Sequence, residues 1–437
     1  MESSKVAPVH VAIVGLGTVG SGVARLLGDF GQRTARHAGR PLVLKHVVVR
    51  DAARPRQINL PAALVSTDLG RITADPEVSI VALLVGGLEP ARTYMLKLLE
   101  SGKDVVTANK ALLAEHGPEL FDRARRLGRS IAFEASVGGG IPIIANISTC
   151  LSANQIESIH AILNGTSNYI LTQMEARGAA YADAVADAQR LGFAEADPSM
   201  DVDGSDAAQK LAILAHLAFG ARVTWHDIPR RGIDTLDQED LRLAKELGYR
   251  IKLLAVARAI ADRLEAHVSP ALVKLGTPLA EVRGAYNAVS VVGDAVGRVF
   301  YSGLGAGQMP TASAVMADMI DMAAGRAAIT FRHLNLWSDE AVPIAPGDFA
   351  DVAGRFYLRF NVEDRPSVLA EIATILGGEN ISIASVIQHE AADESGVVPL
   401  VVMTHKTTEG ATNRATDVID RLAFMRAGSV RMRVHES

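Results

Sequence analysis

Short apolar runs alternate with amphipathic segments through the first third of the chain. Residues 10–14 form an apolar run that predicts a buried strand, and helical spacing follows over 19–27. Further strands are predicted at 44–49, 78–85, 103–108 and 130–134, with helices around 91–101 and 111–127. Nearly continuous apolar strands separated by helices are typical of a parallel sheet covered on both faces. The pattern predicts an α/β fold whose first domain, residues 1–140 and 305–335, is a doubly wound sheet.

The hydrophobic pattern changes after residue 140. Strands are predicted at 156–163, 250–257 and 264–268, and helices at 181–191 and 206–219, which indicates a mixed α/β domain over 141–304. Residues 336–353 are polar and interrupted by prolines, as in a linker. The remainder predicts strand 355–362, helix 367–376, strands 381–389 and 397–404, helix 413–424 and strand 429–435. That βαββαβ order predicts a ferredoxin-like domain at 354–437.

Composition and charge narrow the class of protein. The 437 residues suffice for about three domains. The net charge of −5 comes without a basic block, so neither nucleic acid nor an anionic membrane is an expected partner. The single cysteine, Cys150, excludes an intramolecular disulfide, and we expect it to be a small buried residue. With no signal-peptide pattern and no long uncharged stretch, we expect a cytoplasmic protein.

A glycine-rich turn follows the first predicted strand. The motif Gly15-Leu16-Gly17-Thr18-Val19-Gly20 opens a helix, and in that context it predicts a Rossmann-type dinucleotide site. Gly15 would permit the tight turn, Gly17 would let the pyrophosphate approach the backbone, and Gly20 would let the helix pack against the sheet. The pyrophosphate would then meet free N–H groups at the helix N-terminus. The alternative is a structural turn without a ligand.

The tip of the second strand bears on the choice between NAD and NADP. Arg50 stands there, and a basic residue at this point accommodates the 2′-phosphate of NADP. Asp51 follows at once and would instead suit the ribose hydroxyl of NAD. We favour NADP, with NAD possible; solvated loop charges are the alternative.

Two lysines are candidate acid–base groups. Lys110 follows a parallel strand at the carboxyl edge, where ligands bind in open α/β sheets. Lys210 lies four residues after Asp206, so the two side chains share a helix face and the carboxylate could tune the lysine. The alternatives are a surface lysine opening a helix and an ordinary surface ion pair.

Several acidic residues precede Lys210. They include Glu195 and Asp201, and with Asp206 they suit recognition of a substrate that carries an ammonium group. Residue types and spacing thus indicate a nucleotide-dependent enzyme with a partly acidic substrate site. They do not name the substrate.

Six motifs, in order along residues 8–330, resemble those of homoserine dehydrogenases. They are the glycine-rich turn with its next residues, Val106-Thr-Ala-Asn-Lys-Ala-Leu, Glu134-Ala-Ser-Val-Gly-Gly-Gly-Ile-Pro, Leu163-Asn-Gly-Thr-Ser-Asn-Tyr-Ile, the 192–210 cluster and Gly305-Ala-Gly-Gln-Met-Pro-Thr-Ala-Ser-Ala-Val. The resemblance implies hydride exchange between a nicotinamide cofactor and C4 of L-homoserine, which gives L-aspartate 4-semialdehyde. That reaction belongs to threonine, methionine and isoleucine biosynthesis.

The same resemblance implies roles for individual residues. Lys210 would exchange the proton of the substrate oxygen, Lys110 would assist or position, and Asp206 would orient Lys210 or the substrate oxygen. The family's substrate pocket would take Glu195 for the ammonium group, with Gly165, Thr166 and Asp201. On the cofactor side it implies contacts from Lys110 and Gly305.

A monovalent cation such as Na⁺ or K⁺ is also implied by the resemblance. Its ligands would be the Glu134 carboxylate and the backbone carbonyls of Val137, Gly139 and Ile141. One carboxylate with carbonyl oxygens suits a hard, weakly held cation. A glycine-rich hinge between domains is equally compatible with the sequence.

The C-terminal domain resembles an ACT domain. Such modules pair side by side and bind amino acids near the first strand–helix loop, here residues 363–367. The resemblance implies a homodimer or homotetramer and inhibition by L-threonine. The common pattern has glycine where this chain has Ser367, and glycine matters where backbone approaches a ligand. A purely dimerising domain, a catalytically silent amino-acid sensor and another NAD(P)-dependent amino-acid dehydrogenase are the alternatives.

Overall fold

The structure, a computed structural model, describes residues 6–56, 58–334, 336, 344–389 and 396–435. The strands are β1 Val9–Val14, β2 Leu42–Val48, β3 Val65–Ser66, β4 Val78–Leu83, β5 Asp104–Thr107, β6 Ile131–Ala132, β7 Ile156–Ile162, β8 Tyr249–Ile260, β9 Arg263–Lys274, β10 Tyr286–Gly293, β11 Gly297–Leu304, β12 Ala345–Pro346, β13 Ala353–Glu363, β14 Ile383–Gln388, β15 Val397–Thr404, β16 Thr407–Thr408 and β17 Val430–His435. The helices are α1 Thr18–Asp29, α2 Gly31–Ala38, α3 Gly70–Thr73, α4 Ala91–Glu100, α5 Lys110–Arg126, α6 Ile143–Ala145, α7 Gly165–Arg177, α8 Tyr181–Arg190, α9 Ser199–Val202, α10 Ser205–Phe219, α11 Gln238–Glu246, α12 Gln308–Ala323, α13 Arg326–Leu334, α14 Val368–Gly378 and α15 Glu409–Ile419.

The chain forms two compact units. The first takes the described residues of Met1–Ile159, Gln209–Asp227 and Tyr286–Ile344, and the second takes those of His160–Ala208, Ile228–Ala285 and Ala345–Ser437. Among the described residues, no helix is both long and apolar enough to cross a membrane.

A parallel six-stranded sheet forms the core of the first unit. Its strand order is β3-β2-β1-β4-β5-β6, the order of a doubly wound dinucleotide-binding domain. The central strands are buried because helices cover them; β1 and α1 share an apolar core with the later helix α12. The α1–α12 crossing is close, since a Cβ atom at Gly22 would lie 2.8 Å from the Cβ of Ala312. The predicted fold class is confirmed for this part of the chain.

A mixed sheet runs through the second unit. The long hairpin β8–β9 pairs over its whole length, and β17 lies parallel to β9 and antiparallel to β13. The order β17-β13-β15-β14, with α14 and α15 packed on one core, is the ferredoxin-like arrangement. The predicted mixed domain and βαββαβ fold are confirmed.

Some sequence predictions were wrong. The final helix begins at Glu409 rather than at 413, because the Thr408 hydroxyl accepts from Ala411 N at 3.2 Å and caps it. Cys150 is exposed, not buried. It ends a π-helical turn, Asn146–Cys150, in which only Ile147 is buried.

Candidate active site

The glycine-rich turn lies between β1 and α1 and has three different glycine environments. At Gly15, φ is +97° and a Cβ atom would lie 2.7 Å from the Leu84 carbonyl oxygen. A Cβ atom at Gly20 would lie 2.0 Å from the Gly15 carbonyl oxygen, whereas one at Gly17 would have no described heavy atom within 4 Å. Gly15 and Gly20 are therefore required by packing, and Gly17 leaves the backbone accessible to a ligand.

The N-terminus of α1 suits an anionic group. Gly17 occupies the cap position without a side-chain cap, and the first turn carries no acidic residue. Thr18 is exposed, Val19 half-buried and Leu16 buried in the core. The N–H groups of a first helical turn and the helix dipole both favour an anion at such an end.

Arg50 and Asp51, in the loop after β2, differ in their hydrogen bonding. The Asp51 carboxylate accepts from Ala53 N at 2.9 Å and so closes the loop. Arg50 is exposed at the strand tip, and it has no hydrogen bond or ion pair within the described part of the chain. The carboxylate is engaged locally while the guanidinium faces solvent.

Lys110 is the first residue of α5, and its backbone position is fixed by the preceding asparagine. The Asn109 side chain accepts from Leu112 N at 3.0 Å, which caps α5, and donates to the carbonyls of Val85 at 2.9 Å and Gly87 at 2.6 Å. Lys110 is half-buried at the carboxyl edge of the sheet, where the sequence placed it.

Asn164 brings two of the predicted acidic residues together. Its amide donates to Asp201 Oδ1 at 2.7 Å and to Asp206 Oδ2 at 2.9 Å, while its own oxygen accepts from Ser167 N and caps α7. Asp206 is buried, as is Asn164. Two carboxylates are thus held by one amide at the start of α10, in surroundings that suit a cationic or hydrogen-bonding substrate group.

Asn164 belongs to one of the six sequence motifs, but the sequence analysis predicted no role for it. The pattern Asn-Gly-Thr-Ser ahead of an apolar helix is a helix-cap pattern and could have indicated one. Its contacts with Asp201 and Asp206 span 37 and 42 residues, and such pairings leave no local pattern.

The other predicted substrate residues lie around the start of α7. Gly165 opens that helix, and the Thr166 hydroxyl donates to the Phe193 carbonyl at 2.6 Å, which ties α7 to the segment before Glu195. Glu195 itself is exposed, and its carboxylate makes no hydrogen bond or ion pair with the described residues. The structure thus joins Asp201 to Asp206 but does not bring Glu195 into that group.

Helix α10 carries both Asp206 and Lys210. They lie four residues apart, on one helix face, with Asp206 in the first turn. Ser205 is the first residue of the helix, and the Asp203 carboxylate accepts from its backbone N at 2.7 Å and from its hydroxyl at 2.9 Å.

The Glu134 loop is buried and rich in backbone carbonyls. The two Glu134 oxygens accept from the amides of Ile144 and Ala145, each at 2.8 Å, and burial raises the pKa of this carboxyl to about 7. The Ile141 carbonyl accepts from Ile143 N at 2.8 Å, whereas those of Val137 and Gly139 accept no hydrogen bond from described residues. Gly139 also packs on Gly305, because a Cβ atom at Gly139 would lie 2.4 Å from the Gly305 oxygen.

Comparison with known proteins agrees with this arrangement. The family model "Homoserine dehydrogenase, NAD binding domain" matches residues 15–134, the model "Homoserine dehydrogenase" matches 142–320, and the ACT domain model matches 356–424. A homoserine dehydrogenase of Pseudomonas aeruginosa is 42% identical over 98% of this chain and 99% of its own length. The chain belongs to the homoserine dehydrogenase family.

Solved homoserine dehydrogenase structures share the fold. That of Thiobacillus denitrificans is 40% identical with a TM-score of 0.89, covering 98% of this chain and 99% of its own. That of S. aureus is 30% identical with a TM-score of 0.75, covering 99% and 100%. A hyperthermophilic archaeal homoserine dehydrogenase mutant, described in complex with NADPH, is 25% identical with a TM-score of 0.60, covering 72% and 97%. The family resemblance predicted from the six motifs is confirmed, with the NAD-binding and ACT domains.

Proposed function

We propose that this protein interconverts L-homoserine and L-aspartate 4-semialdehyde with a nicotinamide cofactor, under regulation through its ACT domain. The observation that carries the proposal is the Asn164-linked pair Asp201–Asp206, which opens the helix bearing Lys210. Burying the Asp206 carboxylate costs stability unless it is hydrogen-bonded, and the chain provides Asn164 for this purpose; such an ordered acidic group favours a substrate site over a silent sensor.

Lys210 would take the proton from the substrate hydroxyl as the carbonyl forms, with Asp206 holding the lysine or the hydroxyl in place. Lys110, fixed by the Asn109 cap, would assist at the carboxyl edge of the sheet. Glu195 would bind the substrate ammonium group, with Gly165, Thr166 and Asp201 lining the pocket. The cofactor, when bound, supplies the hydride acceptor; the protein's part is to hold the reacting groups in reach.

NADP is the preferred cofactor in this proposal. Residues 15–20 would hold its pyrophosphate, Gly305 would contact it, and Arg50 would meet the 2′-phosphate. Supporting this, Arg50 faces solvent, the Asp51 carboxylate is occupied by Ala53 N, and one related dehydrogenase is described with NADPH. NAD would bind more weakly, because the 2′-phosphate adds a charge-assisted contact to Arg50.

A monovalent cation would fit the Glu134 loop. Buried carbonyls at Val137 and Gly139 without a described hydrogen bond are the kind of group that a cation satisfies, beside the Glu134 carboxylate. Ile141 would add a third carbonyl. The cation would offset buried negative charge and fix the loop that contacts Gly305.

The domain division proposed from sequence is retained: residues 1–140 with 305–335, 141–304, the linker 336–353 and the ACT domain 354–437. We further propose a cytoplasmic homodimer or homotetramer inhibited by L-threonine at residues 363–367. Supporting an atypical effector loop, Ser367 has φ +77°, a left-handed conformation that favours the glycine of the common pattern.

The decisive experiment is the initial rate with L-homoserine and either NADP or NAD, in K⁺ and in a K⁺-free buffer, with and without L-threonine. Turnover that is abolished in Lys210→Ala, with fold retained, supports the assignment. Arg50→Ala should raise KM for NADP and leave KM for NAD nearly unchanged. Folded protein without turnover on either cofactor would overturn the proposed activity.

A further inference from the structure

The second unit holds a cavity of about 250 Å³ that lies apart from the Asp201–Asp206 group and from residues 363–367. It lies where β17 meets β9. Its lining residues are Pro229, Arg230, Arg231, Val268, Ser269, Pro270, Phe349, Phe356, Glu409, Arg431 and Arg433. A single water needs about 10–15 Å³ of such space, so the cavity admits a small organic ion.

The charge of the lining is strongly positive. Four arginines face one glutamate, Glu409, which already pairs with Arg433 at 2.8 Å and with Arg431 at 2.7 Å. Arg431 and Glu409 are each 4% exposed and Arg433 is 12% exposed, so this group is rigid and largely removed from water. Basic side chains therefore outnumber acidic ones in the lining.

Arg433 is held from several sides. Behind the cavity Glu265 accepts from its Nη1 at 3.2 Å, and the guanidinium lies 5.1 Å from the Phe349 ring centre and 5.5 Å from that of Phe356. Glu265 also pairs with Arg258 at 2.6 Å, so its carboxylate is shared between two arginines. Arginine forks positioned in this way match carboxylate and phosphate oxygens.

Arg231 is the arginine best placed to adapt to a ligand. Its side chain is 48% exposed, and its contacts with Glu409 at 3.8 Å and Asn413 at 3.4 Å are long. Its backbone, in contrast, is fixed, because Arg231 N donates to the Val268 carbonyl at 2.9 Å. A small rotation would bring its donors to a bound anion without backbone movement.

The same segment contacts the loop that precedes Asp206. Ile233 N donates to the Val202 carbonyl at 2.8 Å, and a Cβ atom at Gly232 would lie 2.3 Å from that oxygen. Residues 232 and 233 are therefore in direct contact with Val202, next to Asp201. The cavity and the acidic pair share one tightly packed piece of backbone.

We propose that this cavity is a second ligand site, which binds a small dianion bearing carboxylate or phosphate groups and thereby modulates the Asp201–Asp206 group. Four arginines and one glutamate line the cavity, and this majority of basic groups favours a ligand that carries more than one negatively charged oxygen. The volume admits a molecule of the size of succinate or inorganic phosphate. The regulatory part of this proposal rests on the proposed function, whereas the binding part does not.

Calorimetric titration of the full chain with succinate, and separately with inorganic phosphate, tests the binding. We expect one site per chain, with succinate displaced by phosphate if both sources of the anion share it, and at least tenfold weaker binding in Arg231→Gln. The matched control is Arg258→Gln: Arg258 is 43% exposed and pairs with Glu265 at 2.6 Å, but does not line the cavity. Thermal midpoints without ligand show that both variants fold.

If neither anion binds at about 10 mM, the proposed site is wrong, because a Kd weaker than about millimolar corresponds to little specific binding energy. Equal loss in Arg231→Gln and Arg258→Gln would also do so, because it would indicate only the general field of the cluster. For the regulatory part, succinate should change KM for L-homoserine in the parent protein and not in Arg231→Gln. Bound succinate with an unchanged KM would refute the modulation, and a protein that binds succinate without any turnover would refute the activity alone.

Discussion

The guanidinium of Arg359 and the carboxylate of Asp240 form a bidentate ion pair in the interior of the second unit. Arg359 Nε donates to Asp240 Oδ1 at 2.7 Å and Nη2 donates to Oδ2 at 2.9 Å. Asp240 is fully buried and Arg359 is 4% exposed. Asp240 also belongs to the capping box of α11, so the pair fixes that helix to β13.

Asp240→Asn should destabilise the protein by about 3–5 kcal/mol, because the buried Arg359 would keep only the exposed Asp237, at 3.0 Å, as an acidic partner. The control is Glu239→Gln on the same helix, whose exposed pair with Arg242 should contribute about 1 kcal/mol or less. Urea denaturation followed by circular dichroism measures both. Similar losses in the two variants would show that the pair has no special energetic role.

Gly17→Ala and Gly20→Ala should have opposite consequences. Gly17→Ala leaves the fold intact, since its Cβ meets open space, but raises KM for the cofactor because the methyl group obstructs the pyrophosphate. Gly20→Ala lowers stability by several kcal/mol, since its Cβ would lie 2.0 Å from the Gly15 oxygen. Cofactor titration and thermal unfolding separate the two effects; a stability loss in Gly17→Ala would contradict this division.

Asn164 should act as a positioning residue for the proposed reaction. Asn164→Ala frees Asp201 and Asp206, and we expect kcat/KM for L-homoserine to fall on the order of 100-fold. Asn164→Asp keeps the helix cap but adds a third carboxylate, so the acidic limb of the kcat/KM profile should move to higher pH. In Asn154→Ala, which removes hydrogen bonds with Val296 N and the Leu151 carbonyl, kinetics should be normal. An unmoved pH profile in Asn164→Asp would indicate a merely structural residue.

Ser367→Gly should stabilise the protein by about 1 kcal/mol, because φ at this residue is +77° and glycine adopts such a backbone conformation without steric penalty. Ser367→Ala is the control: it also lacks the hydroxyl but retains the Cβ, and it should bring no gain. The free energies of unfolding of the wild type and both variants, measured in urea, test this prediction. If Ala stabilises as much as Gly, the hydroxyl rather than the backbone is responsible.

Lys252 makes stability depend on pH in the alkaline range. It is 1% exposed, and burial lowers its pKa from 10.5 to about 7. Between those values the unfolded chain binds more protons than the folded one, so the free energy of unfolding should rise with pH from about 7 to about 10. Relative to Lys252→Met, the wild type should gain about 2 kcal/mol between pH 7.5 and 9.5, at about 1.4 kcal/mol per proton and pH unit.

The control is Lys245→Met, which removes an exposed lysine and should follow the wild type. Urea unfolding at both pH values gives the comparison. A difference between the wild type and Lys252→Met that stays constant with pH would mean that Lys252 does not titrate in this range.

Features encoded by local patterns were predictable from the sequence. The glycine-rich turn and the βαββαβ order were found because glycine spacing and hydrophobic periodicity belong to single segments. The hairpin β10–β11, helix α7 and the contacts of Asn164 were not found. The partner of a buried amide or arginine is set by the tertiary fold. Arg359 and Asp240, for example, are 119 residues apart, and no local periodicity in the sequence indicates that they pair.

The position of β17 has a consequence for biosynthesis. It is the final strand among the described residues, yet it lies between β9 and β13 in the sheet. During translation, the backbone groups of β9 and β13 that pair with β17 therefore stay without these partners until residues 430–435 emerge from the ribosome. Such open edges invite pairing with other chains, so nascent chains that stall before residue 430 should be the species that chaperones need to protect.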